Sequence, residues 1–83
     1  MAVQKLPVEI YGESKKLFSG KCDSIIVPGA AGELGFLPGH TRLVSPLRKG
    51  TIRITDGMNE KQFEVNETGI VCVEKNGVRV ILK

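Results

Sequence analysis

Apolar residues alternate with polar ones in several short stretches of this 83-residue chain. Because successive side chains of a β-strand point to opposite faces of a sheet, such alternation predicts strands with one buried face. The alternating sets are Leu6, Val8 and Ile10; Cys22, Ser24 and Ile26; Ile52 and Ile54; Phe63 and Val65; Ile70 and Cys72; and Val78, Val80 and Leu82. We therefore predict an all-β protein, folded as an antiparallel sandwich or barrel.

Glycine and proline interrupt the chain so often that no long helix is expected. Only residues 58–68 run eleven positions without either residue. The dipeptides Asp56-Gly57 and Asn76-Gly77 lie between alternating stretches, and they favour the primed turns that match the twist of paired strands. The sequence therefore predicts a β-hairpin at each dipeptide.

Residues 27–47, VPGAAGELGFLPGHTRLVSPL, form the most distinctive segment of the chain. Glycine permits positive φ and proline fixes φ, so their density predicts a tightly turned loop and disfavours both a helix and a flexible linker. The large apolar residues in the segment have to be buried within the protein or against a partner. Its acid, Glu33, fits a solvated charge, a backbone cap or an ion pair with a partner, and the residues alone leave these open.

Composition limits the class of protein. Hydrophobic residues make up 41% of the chain and charged residues 25%, which excludes a disordered or fibrous protein and suits one globular domain over residues 1–83. Residues 1–12 lack the continuous apolar core of a signal peptide, so we expect a cytoplasmic chain. No uncharged run is long enough to span a bilayer. The net charge of +3 permits an anionic partner without requiring one.

Candidate chemistry is sparse. Cys22 and Cys72 are expected to be reduced core residues, and with a single histidine they do not form a zinc signature. The glycine-rich segment lacks the ending of a phosphate-binding loop, so we expect no cofactor. His40 could serve as a base for Ser24 or Ser45, but one histidine among several serines is weak evidence for catalysis, and a histidine that stabilises the loop or contacts a partner fits better. A small ligand-binding or nucleic-acid-binding β-domain is the alternative, although the four aromatic residues are not interleaved with basic ones as base stacking requires.

Four blocks, in this order and spacing, resemble the N-terminal domain of the epsilon subunit of F-type ATP synthases. They are LFSG at 17–20, VPGAAGELGFLPGH at 27–40, the lysine-glycine step with TIRI at 49–54, and GIVCVEKNGVRVIL at 69–82. The resemblance covers essentially the whole chain. It implies a flattened antiparallel β-sandwich of about ten short strands.

The resemblance also implies a function. In that family the domain is a non-catalytic rotor subunit of the central stalk, bound on one side to the gamma subunit and below to the c-ring, and it supports the coupling of ion flow to ATP synthesis. It implies a peripheral protein on the cytoplasmic face of an energy-coupling membrane, with no nucleic-acid partner and a monomeric state when isolated.

The family's c-ring-facing loop maps onto residues 33–40 of this chain. The resemblance implies that Leu34 and Phe36 supply exposed apolar area and that Glu33 meets cationic c-ring loops. The expected contact residues are Glu33, Leu34, Gly35, Phe36, Leu37, Pro38, Gly39, His40 and Arg42.

The chain departs from the family pattern in three places. The family's usual His-Ala-Pro-Leu is here His40-Thr41-Arg42-Leu43, which adds a positive charge beside the expected interface. Its usual Ser-Gly-Gly is replaced by residues 66–69, Asn-Glu-Thr-Gly. Most members also carry a C-terminal helical hairpin that restrains ATP hydrolysis and in some members binds ATP. The given sequence ends before that hairpin, so we expect it neither to bind ATP nor to inhibit hydrolysis.

Overall fold

A computed structural model of the protein describes residues 4–83, and within that range it contains nine β-strands and no helix. The strands are β1 (Leu6–Tyr11), β2 (Lys16–Cys22), β3 (Ser24–Gly29), β4 (Gly32–Phe36), β5 (Leu43–Leu47), β6 (Gly50–Asp56), β7 (Asn59–Val65), β8 (Gly69–Glu74) and β9 (Gly77–Leu82). The prediction of an all-β fold is confirmed. The described strands number one fewer than the ten or so expected.

All nine strands belong to one curled sheet. Its main path runs β2-β1-β9-β8-β5-β3-β6-β7, and β4 pairs with β3 beside that path. Neighbouring strands are antiparallel except for β1 and β9, which are parallel. The expectation of an antiparallel arrangement is therefore wrong for this one pair. Parallel neighbours need a long connection, and here the seven strands between β1 and β9 supply it.

The curl encloses a single apolar core. Its sixteen buried side chains are Leu6, Val8, Ile10, Cys22, Ile25, Val27, Phe36, Leu47, Ile52, Ile54, Val65, Val71, Val73, Val78, Val80 and Leu82. They come from both halves of the sheet, and most are valine or isoleucine, whose branched side chains pack well on a pleated surface. No polar or charged residue is buried among residues 4–83. Burial of the inner sheet face is therefore the main stabilising contribution to the fold.

Two of the alternating sets were assigned to the wrong face. In β3 the buried residues are Ile25 and Val27, whereas Ser24 and Ile26 are only half-buried. The cause is a bend at Asp23, which follows the inward Cys22 and shifts the alternation by one residue.

The other misassigned set lies in β8. Val71 and Val73 are buried there, while Ile70 is exposed and Cys72 is half-buried on the outer face. Residues 70–73 are all apolar, so the sequence carries no alternation that could distinguish the two faces.

Both predicted hairpins are present; the first has a primed turn as expected, and the second does not. In the first, Asp56 pairs with Asn59, and Gly57 takes the first central position with φ +62°, as in a type II′ turn. In the second, Glu74 pairs with Gly77, so the dipeptide does not form the centre of a primed turn. Gly77 is instead the first residue of β9.

The position of Gly77 has a steric reason. Its φ is +141°, and a Cβ atom added there would lie 2.5 Å from the carbonyl oxygen of Pro7. A side chain at this position would therefore collide with the backbone of the N-terminal strand region, where β1 and β9 run side by side. Only glycine permits this close approach together with this backbone conformation.

The glycine-rich segment 27–47 is mostly strand rather than loop. It contains the end of β3, all of β4 and β5, and two short connections at residues 30–31 and 37–42. The prediction of one tightly turned loop was therefore wrong, although no part of the segment is helical or a flexible linker. Glycine in an extended conformation is compatible with a strand, which sequence alone did not distinguish from a turn.

The two ends of the sheet path, β2 and β7, come together at a seam. The rings of Phe18 and Phe63 meet edge to face there, with centroids 5.6 Å apart. Where β2 meets β3, the N–H of Asp23 donates a hydrogen bond of 2.8 Å to the carbonyl oxygen of Thr55. The aromatic contact thus joins two edges that no strand pairing joins, and the Asp23 bond extends the β3–β6 pairing beside them.

An ion-pair cluster stabilises one end of this seam. The Nζ atom of Lys5 lies 2.6 Å from Oδ1 of Asp23 and 2.7 Å from Oδ1 of Asp56, and the N–H of Gly57 donates a 2.6 Å bond to the second oxygen of Asp23. The hydrogen bond from Lys5 lowers the pKa of Asp23, and the bond from Gly57 lowers it further. The hydrogen bond to Asp23, followed by that to Asp56, raises the pKa of Lys5. The cluster connects the start of β1 with the β2–β3 bend and the β6–β7 turn.

We expect Gly77→Ala to destabilise the protein by about 2 kcal/mol or more, because the new methyl group collides with Pro7 and the backbone is held at a φ that alanine disfavours. The matched control is Gly35→Ala, whose added Cβ would meet nothing nearer than Ile26 Cγ1 at 3.9 Å. Its cost should stay below about 1 kcal/mol. Urea denaturation measures both, and equal losses would contradict the steric explanation.

The Lys5 cluster should make stability depend on pH at both extremes. Because the pKa of Asp23 is lowered in the folded protein, its contribution is present above the ordinary value of 3.8 and is lost as pH falls through the folded value. Because the pKa of Lys5 is raised, its contribution is present below 10.5 and is lost as pH rises through the folded value. Lys5→Met should therefore lower the thermal midpoint most between these limits.

The measurement is the thermal midpoint of the wild type and of Lys5→Met across that pH range. Lys75→Met serves as the control, because Lys75 is an exposed turn lysine outside the cluster. A Lys5→Met deficit that stays constant from acid to alkaline pH would rule out the ion pairs as its cause.

Candidate partner-binding surfaces

The first candidate surface is the tip of the β3–β4 hairpin. Gly29 pairs with Gly32, so only Ala30 and Ala31 connect the two strands. The N–H of Ala30 donates a 3.0 Å bond to the carbonyl oxygen of Pro46, which holds the tip against β5. Glu33 follows the tip and is exposed. A short, anchored hairpin thus presents a carboxylate to solvent.

The expected contact residues extend along β4 and into the turn that follows it. Glu33 pairs with Pro28 near the hairpin tip, whereas Phe36 pairs with Ile25 at the other end of β4. Phe36 lies three positions after Glu33 along the strand, about 10 Å away, and His40 lies further on, in the turn after β4. The structure therefore divides the predicted contact loop into the hairpin tip and a separate turn.

Phe36 is a core residue, which corrects its assignment as exposed apolar area. Its side chain is 2% exposed. Leu34 is half-buried and packs against the core cluster, so it offers less surface than expected. The exposed apolar side chain of this region is Leu37, at 63%. The other expected contact residues are exposed at Gly35, Gly39 and Arg42 and half-buried at Pro38.

His40 stabilises the turn that follows β4. Its N–H donates a 3.2 Å bond to the carbonyl oxygen of Leu37. Its ring nitrogen Nδ1 lies 2.7 Å from the carbonyl oxygen of Thr41 and must donate the proton, since a carbonyl only accepts. The ring also meets Phe36 edge to face, with centroids 4.9 Å apart. These contacts give His40 the loop-stabilising role that was one of its two expected roles.

The structure does not pair His40 with a serine nucleophile. The hydroxyl of Ser45 donates to the carbonyl oxygen of Pro46 at 3.2 Å, and the bond of His40 goes to the backbone of Thr41. Within residues 4–83, no group of three or more His, Cys, Asp or Glu side chains is placed to hold a metal ion. The same residues contain no helix that is long and apolar enough to cross a membrane.

Both cysteines are free thiols, as predicted. Cys22 is buried, its Sγ lies 3.6 Å from the carbonyl oxygen of Leu6, and burial raises the pKa of its thiol. Cys72 lies on the outer face of β8 and is only half-buried, so its assignment to the core was wrong.

A second candidate surface, missed by the sequence analysis, covers the outer face of β5, β8 and β9. Val44 is 70% exposed, Ile70 46% and Ile81 45%, and Pro46 is exposed beside them. Pro46 is opposite Ile70, and Ile70 is opposite Ile81, so the side chains form a row across neighbouring strands. We call these four residues the outer apolar face. Exposed apolar side chains grouped in this way are typical of protein contact sites.

Charged side chains border the outer apolar face on β1, β2 and β9. Oε2 of Glu9 lies 3.3 Å from Nζ of Lys16, and Oε1 lies 3.8 Å from Nε of Arg79. The hydrogen bond from Lys16, with further contributions from Tyr11 and Arg79, lowers the pKa of Glu9. Nζ of Lys16 also lies 5.5 Å from the centre of the Tyr11 ring. One carboxylate thus serves two cations at the border of the apolar row.

The chain is similar to known proteins both in sequence and in fold. The model of a family described as ATP synthase, Delta/Epsilon chain, beta-sandwich domain matches residues 5–83. The chain belongs to this family. The resemblance drawn from the four sequence blocks is thereby confirmed.

One curated relative in this family is an ATP synthase epsilon chain from Herminiimonas arsenicoxydans. It is 40% identical over 75 residues, which make up 89% of this chain and 54% of the relative. The chain thus spans about half the length of that relative.

Solved structures show the same fold at low sequence identity. A chain of the Euglena gracilis mitochondrial ATP synthase, in a structure of OSCP, F1 and c-ring, matches 94% of this chain and 50% of its own length, with a TM-score of 0.86 and 18% identity. A chain from the central stalk and c-ring of the Tetrahymena thermophila mitochondrial ATP synthase matches 95% of this chain and 63% of its own length, with a TM-score of 0.75 and 17% identity.

The burial of Phe36 generates a test of its role. We expect Phe36→Ala to lower the free energy of unfolding by about 3 to 5 kcal/mol, because it removes a fully buried aromatic ring from the core. Leu37→Ala, next to it but exposed, should change stability by less than about 1 kcal/mol. Urea denaturation of both variants is the measurement. A stable Phe36→Ala protein would mean that the ring does not pack in the core.

Proposed function

We propose that this chain is the β-sandwich domain of a central-stalk subunit of a rotary ATP synthase. In this proposal it has no catalytic role and links the gamma subunit to the c-ring, so that ion flow is coupled to ATP synthesis. Family membership supports the assignment to an ATP synthase delta or epsilon chain. The outer apolar face and the β3–β4 hairpin tip support a domain with two separate contact surfaces.

The observation that carries the proposal is the outer apolar face. Three apolar side chains in a row across three strands, with Val44 exposed beside them on β5, leave surface in water that a protein partner would cover favourably. We assign this face to gamma, because it is a broad side of the sandwich rather than a loop end. The contact would be mainly hydrophobic at its centre.

The β3–β4 hairpin tip is the proposed contact with the c-ring. It presents the exposed carboxylate of Glu33 on a connection of only two residues, and the bond from Ala30 to Pro46 restrains it. A charge on a restrained hairpin loses little conformational entropy when it pairs with a cationic loop. Leu37 and His40 lie in the turn at the other end of β4, so we leave them out of this contact.

The fold suits the mechanical task. Rotation of a c-ring can drive gamma only if the connecting domain does not deform or slip. A close-packed core with no buried polar residue among residues 4–83 has low compressibility, and the seam between β2 and β7 is held by the Phe18–Phe63 contact and by the Lys5 cluster. Such a domain would act as a stiff adaptor. Its place would be peripheral, on the cytoplasmic face of an energy-coupling membrane.

Two substitutions test the two contacts separately. Ile70→Asp places a charge in the outer apolar face and should raise the Kd for the F1 core complex containing gamma at least tenfold. Glu33→Lys reverses the hairpin-tip charge and should lower ATP-driven proton pumping in reconstituted membranes while leaving core binding intact. Both residues are exposed, so thermal midpoints should change little.

Matched controls distinguish a lost contact from a general effect of charge. Met58→Asp introduces the same acid at a fully exposed apolar residue of the β6–β7 turn, and Glu60→Lys makes the same reversal on β7. Both controls should bind and pump as the wild type does. If Ile70→Asp binds the core normally, the assignment of gamma to this face is wrong, and normal pumping by Glu33→Lys would remove the hairpin tip as the c-ring contact.

A further inference from the structure

Arg79 borders the outer apolar face, on which gamma is proposed to dock. β9 is the middle strand of the row β2-β1-β9-β8-β5, and Arg79 is paired with Cys72 on one side and Glu9 on the other. Ile81, part of the outer apolar face, lies two residues further along the same strand face. The Arg79 side chain is 52% exposed. A partner that covers the outer apolar face would therefore also cover this guanidinium.

The contacts of Arg79 leave most of its hydrogen-bonding capacity unused. Its one ion-pair contact among residues 4–83 runs from Nε to Oε1 of Glu9 at 3.8 Å, which is longer than a hydrogen bond. Glu9 is closer to Lys16, at 3.3 Å, so one carboxylate is shared by two cations. Glu74 lines the same shallow cavity as Glu9 and Arg79, but it makes no ion pair with Arg79 within 4.0 Å.

Docking would require the partner to compensate the positive charge of Arg79. Covering the guanidinium with apolar surface removes its water, and a shared carboxylate at 3.8 Å does not replace that hydration. Lys16 can avoid the cost, because it lies on the terminal strand β2 and its flexible chain can keep the ammonium group in water. Arg79 lies on β9, with a strand on each side, so a partner on the outer apolar face would cover its guanidinium.

We propose that Arg79 is a specificity-determining residue, and that it pairs with a carboxylate on the gamma surface that covers the outer apolar face. This inference rests on the proposed docking of gamma. The terminal nitrogens of the guanidinium offer a planar pair of donors that fits a carboxylate in two parallel hydrogen bonds. Glu9 lies beside Nε, so the two terminal nitrogens remain available to a partner. The pair fixes the register of an otherwise apolar contact, which apolar side chains alone define weakly.

The direction in which Arg79→Met changes the Kd tests the proposal. Arg79→Met keeps an apolar stem of similar length and removes the charge. If gamma supplies a carboxylate, that group is left buried without a partner, and the Kd for the F1 core complex depleted of its own copy of this subunit should rise at least tenfold. If gamma supplies none, the substitution removes a desolvation penalty, so binding should stay equal or become tighter. Arg79→Lys should fall between wild type and Arg79→Met, because it retains the charge but loses the two parallel bonds.

Arg53→Met is the matched control, since Arg53 is an exposed arginine on β6, in the other half of the sheet. It should bind the core as the wild type does, and thermal midpoints should show that all three variants are folded. Equal or tighter binding by Arg79→Met overturns this inference alone, because wild-type binding would still support the docking of gamma. Failure of the wild type to bind the core overturns the proposed function and this inference together.

Discussion

Removal of the inner face of a single curled sheet from water is the interaction on which the rest of the structure depends. The sixteen core side chains come from both halves of the sheet, and no polar side chain among residues 4–83 is buried with them. Curling brings the two halves together only if the free edges of β2 and β7 can meet without strand pairing. The Phe18–Phe63 contact and the Lys5 cluster serve this purpose at two points of the seam.

Sequence patterns predicted those parts of the fold in which one face is apolar and the other polar. The alternation in β1, β6 and β9 has the phase expected for strands with one buried face. The prediction failed in β3 and β8, where consecutive apolar residues fit either face and only the tertiary packing decides. It also failed for the segment 27–47, because glycine is compatible with both a turn and a strand, and the sequence did not show that residues 32–36 pair with β3.

The candidate contact residues were also only partly predictable from the sequence. The resemblance led to residues 33–40 as one contact loop, but only the pairing of β4 with β3 reveals that Glu33 and His40 lie at opposite ends of a strand. The burial of Phe36 likewise depends on which way β4 faces. The outer apolar face could have been predicted from the sequence. Residues 70–73 are apolar at every position, and the core of a curled sheet takes up only the side chains that point to its inner face. An apolar run with no alternation is thus a signal for a strand with a second, exposed contact surface.

The parallel pairing of β1 with β9 has a consequence for how the protein is made. β9 is the last of the nine described strands in order of synthesis, yet it lies between β1 and β8. On the ribosome, β1 can pair with β2 early, but that hairpin has no neighbour on its other side until residues 77–82 emerge. The core therefore closes late, through contacts between residues that are far apart in the chain, and folding should be slow for a domain of this size.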